Sequence, residues 1–290
     1  MKIILLLTLA LTICLFTVSC ENDTEFKAEN VVEKVDTNLE IPEQHVEHTE
    51  ITEEAEIKPS SPEEIIDYAN KLNVDVSMEK FDLSGILTDT QLSATPDAGD
   101  EYQNTTAYLG DSVTLGLAFF KNHPSDLVIA KGSINPLDAT DKKLIETPTG
   151  EMVNFPEALS MTDAKRAILT FGSNAISVMS EETFLNYYSK LIDAVREKNS
   201  DCDIIVQSIT PLATTCTLKK LTNTLINRSN LLLLVLAYSK DVKFLNSAPM
   251  LKDENGYLKA EYCSSDDGIH INEKGYEIWI ECLRTHAIVE

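Results

Sequence analysis

Positive charge is scarce in this chain of 290 residues, which has 24 Lys and Arg against 47 Asp and Glu and a formal net charge of −23. Proteins that bind nucleic acid through its phosphates need a basic surface. That class of function is excluded, and we expect no nucleic-acid partner. The acidity is also uneven, because residues 21–100 hold 22 acidic and 5 basic residues whereas residues 101–290 hold 25 and 18.

No apolar run in the chain reaches the length of about 20 residues that a membrane-spanning helix needs. Ile3–Phe16 is uncharged, follows Met1 and Lys2, and has the length of a signal-peptide core. The second run, Leu231–Ala237, is shorter still and lies in a longer helical stretch that contains Lys and Arg. It predicts the buried face of a helix.

The first apolar run ends in small residues and a cysteine, Thr17-Val18-Ser19-Cys20, and this segment resembles the bacterial lipobox. The resemblance implies that Cys20 is diacylated and anchors the protein to the cell membrane, with the folded part on the extracytoplasmic side. Thr17 stands where the lipobox usually has Leu. Cleavage near Ser19 without lipidation, or an uncleaved anchor, would also place the protein outside the cytoplasm.

Residues 21–60 lack glycine, have Phe26 as their sole aromatic residue, and carry Glu every few positions. Such a segment cannot bury enough apolar surface to offset its ordering entropy, which predicts an acidic, disordered tether. His45 and His48 have no cysteine partner, and a solvated charge run explains them better than a metal site. Residues 61–104 form an N-terminal extension of unknown role, in which Ser61-Pro62 begins a helix.

Cysteines at metal-binding spacing are also missing. The four in the second half of the chain contain no C-x-x-C pair, so zinc is not expected. In an exported protein they could form disulfides in three pairings or stay as free thiols, and the sequence does not choose. They are Cys202, Cys216, Cys263 and Cys282.

Beyond residue 104, short apolar or β-branched runs alternate with helical stretches, which predicts an α/β fold with a parallel sheet covered on both faces. The predicted strands are Thr105–Leu109, Leu127–Ala130, Ala167–Phe171, Ile204–Ser208 and Val242–Leu245. The predicted helices are Val113–Lys121, Glu181–Lys198, Leu218–Ser239 and Glu273–His286. In such sheets the functional residues gather in loops beyond the carboxyl ends of the strands.

Four short blocks follow or lie near predicted element ends: Gly110-Asp111-Ser112, Ala130-Lys131-Gly132-Ser133, Phe171-Gly172-Ser173-Asn174 and Asp267-Gly268-Ile269-His270. Taken alone, the first block is explained most simply as a helix N-cap. A serine at a strand-to-helix junction, however, also presents its hydroxyl and its backbone N–H at the edge of the sheet.

In this order, the four blocks resemble those of the SGNH (GDSL-type) hydrolase superfamily over about residues 105–286. The resemblance implies a flavodoxin-like three-layer α/β/α sandwich with a five-stranded parallel sheet, in a domain of residues 105–290. It implies that Ser112 is the nucleophile, His270 the general base and Asp267 the carboxylate that orients the base. It also implies an oxyanion hole formed by the backbone N–H groups of Ser112 and Gly132 and the side-chain amide of Asn174.

The sequence departs from the family pattern at one position. The family often has Asp directly after the asparagine of the third block, Asn174, where this chain has Ala175. We expect this change to alter the local geometry and to leave catalysis intact. Asp266 adjoins Asp267 and could be the third member of the triad, although the three-residue spacing to the histidine favours Asp267. His123 and His286 are expected to be surface residues.

The sequence therefore predicts an extracytoplasmic, lipid-anchored serine esterase with no cofactor or metal. Its substrate would be a short acyl ester. A tether on the outer face of the membrane would put acetylated cell-wall or other glycans within reach, and we expect the small residues Gly132 and Gly172 to leave room near the nucleophile, so we favour these glycans over long-chain lipids. An O-acyltransferase that uses the same triad, and a catalytically silent surface-binding lipoprotein, are the alternatives. The oligomeric state is not indicated.

Overall fold

The computed structural model describes residues 57–120, 123–264 and 267–289. The predicted signal peptide (1–20), the lipid attachment site Cys20, and residues 21–56 of the predicted tether lie outside the described residues. Asp266, the alternative third member of the triad, also lies outside them.

Five parallel strands form the central sheet, and their bounds agree with the predicted runs to within one residue. In chain order they are β1 (Thr106–Gly110), β2 (Val128–Ala130), β5 (Arg166–Thr170), β6 (Asp203–Gln207) and β7 (Lys243–Leu245). The order across the sheet is β2-β1-β5-β6-β7, and each neighbouring pair is parallel. Counted along the chain this is 2-1-3-4-5, the flavodoxin-like order, so the predicted fold class is confirmed.

Two further strands, β3 (Ile145–Glu146) and β4 (Met152–Val153), form a separate antiparallel pair. The helices of the described residues are α1 (Pro62–Lys71), α2 (Gly99–Asn104), α3 (Ser112–Leu115), α4 (Pro136–Asp141), α5 (Phe155–Leu159), α6 (Glu181–Lys198), α7 (Asn223–Ser239), α8 (Ala248–Leu251) and α9 (Glu273–Thr285).

Side chains that alternate along the strands divide the core between the two faces of the sheet. Leu109 and Leu169 belong to one buried cluster, together with side chains of α1 and α4 to α7. Tyr108 and Ile168, their chain neighbours, belong to a second cluster with side chains of α2, α3, α8 and α9. Helices therefore cover both faces, which gives the three-layer sandwich.

The predicted helix Val113–Lys121 is wrong in extent. α3 ends at Leu115, a 3-10 helix covers Gly116–Phe119, and Phe120 is extended. Gly116 lies where an added Cβ would overlap the ring and hydroxyl of Tyr276 from α9. This close contact with α9, and the low helix propensity of glycine, account for the short helix.

α7 begins at Asn223, with Thr222 as its N-cap, five residues later than predicted. Its residues 231–237 are buried, as the sequence predicted for that run. Within the described residues, no helix has the length and apolarity needed to cross a membrane.

The extension before the first strand packs against the sandwich. α1 begins as predicted, with a reciprocal capping box between Ser61 and Glu64, and it packs on α6 and α7. Gln91 forms an isolated parallel bridge with Phe244 of the edge strand β7, and Leu92 N donates to Phe244 O at 2.9 Å. The extension thus covers the β7 edge of the sheet.

Candidate active site

Ser112 lies where β1 passes into α3. Asp111 is the N-cap of that helix, so Ser112 is its first residue and stands just beyond the carboxyl end of β1. A side chain at Gly110 would overlap Thr114 and come within 2.6 Å of the carbonyl oxygen of Thr170. The glycine therefore lets β1 lie close to its neighbour β5 just before the turn.

Asp111 connects this turn to the loop after β5. Its Oδ1 accepts from Val113 N at 3.1 Å and its Oδ2 accepts from Ser173 Oγ at 3.0 Å. The residue is 2% exposed, and burial raises the pKa of its carboxyl although these hydrogen bonds oppose the rise. Ser173 precedes Asn174, so the Asp111 carboxylate connects the turn that carries Ser112 to the loop that carries Asn174.

The loop that carries Asp267 and His270 is fixed on two sides. Ser264 N donates to His270 O at 2.8 Å, and Ala213 N donates to Gly268 O at 2.9 Å. Gly268 has φ of +69°, and a Cβ there would overlap the backbone of Cys216. Only glycine fits this position without strain.

Ser112, His270 and Asp267 form a continuous hydrogen-bonded series. His270 Nε2 lies 3.0 Å from Ser112 Oγ, and His270 Nδ1 lies 2.6 Å from Asp267 Oδ2. The serine and the histidine are 158 positions apart in the chain, so the fold brings them together. All three are partly exposed, which leaves the serine accessible to a substrate.

The second oxygen of Asp267 is also used. Its Oδ1 accepts from the backbone N–H groups of Ile269 at 2.8 Å and His270 at 3.1 Å. Burial works against the charged form, but the hydrogen bonds from the His270 ring and from these two N–H groups prevail and lower the pKa of the Asp267 carboxyl. The carboxylate is thus held charged and aimed at the imidazole.

Gly132 and Asn174 lie in the loops after the two strands that flank β1. Lys131 N donates to Gly110 O at 3.2 Å, which ties the Gly132 loop to the end of β1. Asn174 is exposed in a tight turn in which Ala175 N donates to Gly172 O at 2.8 Å. Both therefore lie at the serine's edge of the sheet, although within the described residues neither is hydrogen-bonded to the Ser–His–Asp series.

A cavity of about 360 Å³ opens beside Ser112 and His270. Apolar side chains from the 3-10 helix and from the start of α9 form much of its wall, and Glu273 lines it as well. These lining residues lie outside the four motif blocks, so no sequence motif pointed to them. Tyr276 in the wall donates to Val113 O at 2.7 Å and so fixes α9 against α3.

Three sequence-based expectations need correction or completion. His123 is 8% exposed rather than on the surface, and its ring packs edge-on against Tyr108 with centroids 4.5 Å apart. A side chain at Gly172 would overlap Ile209, so this glycine makes room for a core residue and not for substrate. His286 is half-buried beside Cys282.

Cys202, Cys216 and Cys282 are free thiols. Burial raises the pKa of Cys202 to about 11 and that of Cys282 to about 12. In the part of the chain that the structure describes, no three His, Cys, Asp or Glu side chains are grouped to hold a metal ion.

The strand order and the position of the four blocks at one sheet edge define a three-layer α/β/α protein of flavodoxin-like topology, with a hydrogen-bonded Ser–His–Asp triad at the carboxyl edge of its sheet. No protein-family model matches the chain, and no curated protein matches it in sequence.

Solved structures with a similar fold include a protein described as a platelet activating factor from Streptococcus pneumonia. The two are 18% identical, the match covers 77% of this chain and 90% of that chain, and the TM-score is 0.49. A GDSL-like lipase from Bacteroides thetaiotaomicron has 17% identity over 71% of this chain and 96% of its own, with a TM-score of 0.44. A lipase/acylhydrolase from Enterococcus faecalis has 11% identity over 61% of this chain and 92% of its own, with a TM-score of 0.44.

Proposed function

We propose that this protein is a serine esterase that hydrolyses short acyl esters, with Ser112 as nucleophile, His270 as general acid and base, and Asp267 as the group that orients the histidine. The observation that carries the proposal is the Ser112–His270–Asp267 series, with separations of 3.0 Å and 2.6 Å. A serine hydroxyl is a weak nucleophile and needs such a base, and the base needs an acceptor on its other nitrogen.

In the acylation step, Ser112 Oγ attacks the ester carbonyl carbon while its proton passes to His270 Nε2. Asp267 accepts the hydrogen bond from Nδ1–H and stabilises the imidazolium that forms. The carbonyl oxygen becomes an oxyanion, which the N–H groups of Ser112 and Gly132 and the Asn174 amide would bind. The bond to the alcohol oxygen then breaks, and His270 gives its proton to that oxygen.

The second half of the cycle uses water in place of the alcohol. His270 takes a proton from water, whose oxygen attacks the acyl carbon attached to Ser112 Oγ. The acyl–serine bond breaks, the proton on His270 returns to Ser112, and the carboxylic acid leaves. The protein ends the cycle unchanged and needs no cofactor.

The position of the cavity relative to the proposed oxyanion hole favours a short acyl group. Neither Gly132 nor Asn174 is among the described residues that line the 360 Å³ cavity beside the serine. Long-chain esters need an extended apolar groove for the chain on the acyl side. Because this cavity would not take the acyl chain, we favour acetyl over long acyl groups. The proposed position on the outer face of the membrane favours acetylated glycans as the source of the ester.

The hydrogen-bonded arrangement of Ser112, His270 and Asp267 argues against a catalytically silent protein that retains only the fold. A silent protein would be expected to have a buried serine or a separation of more than about 5 Å between serine and histidine. Here Ser112 is partly exposed and hydrogen-bonded to the histidine. The acyltransferase alternative uses the same series and differs in whether water or a sugar hydroxyl takes the acyl group.

The experiment compares hydrolysis of 4-nitrophenyl acetate and 4-nitrophenyl octanoate by the purified wild-type protein and by Ser112→Ala. We expect turnover of the acetate to exceed that of the octanoate and to be lost in the variant. A preference for octanoate would reverse the choice of acyl group. Product analysis with an added glycan acceptor separates transfer from hydrolysis.

We also propose that the esterase is a lipoprotein anchored through Cys20, with the domain on the extracytoplasmic side of the cell membrane. The support is the sequence of Met1–Cys20 alone. Labelling of cells with radioactive palmitate tests it, because wild type should be labelled and Cys20→Ala should not. Equal labelling of both would contradict the anchor.

A further inference from the structure

The cavity beside the serine has an aromatic wall. Phe119, in the 3-10 helix after α3, lines it and is 82% exposed. Phe120 and Tyr276 are in the same wall, with ring centroids 6.3 Å apart. A phenylalanine left this open at the rim of a cavity offers a flat apolar face to whatever enters it.

The proposed chemistry assigns this cavity to one side of the ester. After the serine attacks, His270 Nε2 must give its proton to the alcohol oxygen, so the alcohol lies on the histidine's side of the serine. His270 and Ser112 both line the cavity, whereas the groups proposed to bind the carbonyl oxygen, Gly132 and Asn174, are not among its described lining residues. The cavity is therefore placed to receive the alcohol part of the ester.

The polar groups that line the cavity indicate which kind of alcohol it can bind. Glu273 lines it, and its described lining residues include no Lys or Arg. The side-chain amide of Asn272 already has protein partners, because it donates to the carbonyl oxygens of Glu261 and Cys263 and accepts from Gly275 N. A carboxylate repels anionic alcohols and accepts hydrogen bonds from hydroxyl groups.

We propose that this cavity is a leaving-group subsite for one neutral sugar ring, with Phe119 as the platform under the ring and Glu273 as the acceptor for its hydroxyls. This inference rests on the proposed esterase function. Small-molecule sites have volumes of about 300–1,000 Å³, and 360 Å³ lies at the small end of that range. The volume thus suits a single ring. Phe119 and Glu273 are specificity-determining residues in this account.

The kinetic test holds the acyl group constant and changes the alcohol. Methyl 6-O-acetyl-glucoside and ethyl acetate carry the same acetyl group, and the measured quantity is the ratio of their kcat/KM values. We expect Phe119→Ala to lower this ratio roughly three- to tenfold. Phe119→Trp should keep the ratio close to that of wild type, and Glu273→Gln should lower it.

Met161→Ala is the matched control, because Met161 is also an exposed apolar residue, at 59%, and lines a different cavity. It should leave the ratio unchanged. An unchanged ratio in Phe119→Ala would overturn the subsite. A shift by Phe119→Ala in the preference between 4-nitrophenyl acetate and octanoate would also overturn it, since the cavity would then hold the acyl chain.

A binding measurement tests the subsite without catalysis. Saturation-transfer NMR with methyl glucoside should give a signal on the Ser112→Ala protein, and that signal should be lost when Phe119→Ala is added. Equal signals would contradict the subsite. If the wild type hydrolyses no ester while the sugar signal depends on Phe119, the esterase proposal fails and the sugar site stands.

Discussion

Ser173 donates its hydroxyl hydrogen to Asp111 Oδ2 across 3.0 Å, which links the loop after β5 to the turn after β1. The bond joins residues that directly precede Asn174 and Ser112. The same carboxylate caps α3 through Val113 N at 3.1 Å. One buried side chain thus holds two of the proposed catalytic loops in place.

We predict that Asp111→Ala lowers the free energy of unfolding by about 1–3 kcal/mol, because it removes a helix cap and leaves the Ser173 hydroxyl and Val113 N–H without their acceptor. Urea unfolding followed by circular dichroism measures the change. Ser173→Ala removes one of the two bonds and should have the smaller effect. Equal stability of Asp111→Ala and wild type would contradict this role.

Asp267→Asn should lower kcat by on the order of 10³- to 10⁴-fold, because the amide no longer stabilises the imidazolium or fixes its tautomer. The side chain keeps its size, so the melting temperature should change little. Ester hydrolysis at pH 7.5 and a thermal scan check the two statements. A loss of less than tenfold would mean that Asp267 does not orient His270.

Asn174→Ala should reduce kcat by about 100- to 1,000-fold with a much smaller change in KM, because its amide is proposed to act on the oxyanion of the transition state. Asn174 is exposed, so the variant should fold. Full turnover by this variant would remove Asn174 from the proposed oxyanion hole.

Ala175→Asp introduces the residue that SGNH-type hydrolases often have at this position, yet it should destabilise this chain. Ala175 is fully buried, and a carboxyl group placed there without a partner costs at least about 2 kcal/mol. Ala175→Ser is the milder control. Urea unfolding of both variants measures the difference, and an Asp variant as stable as wild type would show that the site can accommodate the carboxyl.

Stability should fall on acidification through His123. Burial lowers the pKa of this ring to about 4, and Asp126 only partly offsets the effect. Between about pH 6.5 and pH 4 the unfolded chain binds a proton that the folded chain does not, so the free energy of unfolding decreases by up to about 3 kcal/mol as the pH falls.

His123→Phe tests this assignment, because the ring can still pack against Tyr108 but cannot take a proton. The difference in unfolding free energy between pH 7 and pH 4.5 should be smaller in the variant than in wild type. The same difference in both proteins would show that His123 does not carry the effect.

The strands could be predicted from the sequence because buried parallel strands are short continuous apolar runs between helical stretches. The contact between Ser112 and His270, across 158 positions, is not encoded in any local pattern. It followed only from the order of the motif blocks and the family that they resemble.

Features that depend on tertiary packing could not be predicted from the sequence. The burial of His123 depends on Tyr108, and the early end of α3 depends on the contact between Gly116 and Tyr276. The pairing of Gln91 with Phe244 is a single bridge, too short to give a strand pattern. The wall of the cavity comes from Phe119 and Glu273, which sequence patterns alone do not distinguish from ordinary surface residues.

The most direct test of the account is covalent labelling of the purified protein with a fluorophosphonate, followed by peptide mass spectrometry. The account predicts one adduct, on Ser112, that is lost in Ser112→Ala and strongly reduced in His270→Ala. A folded wild-type protein that takes up no label, or that takes it up on a residue other than Ser112, would contradict it.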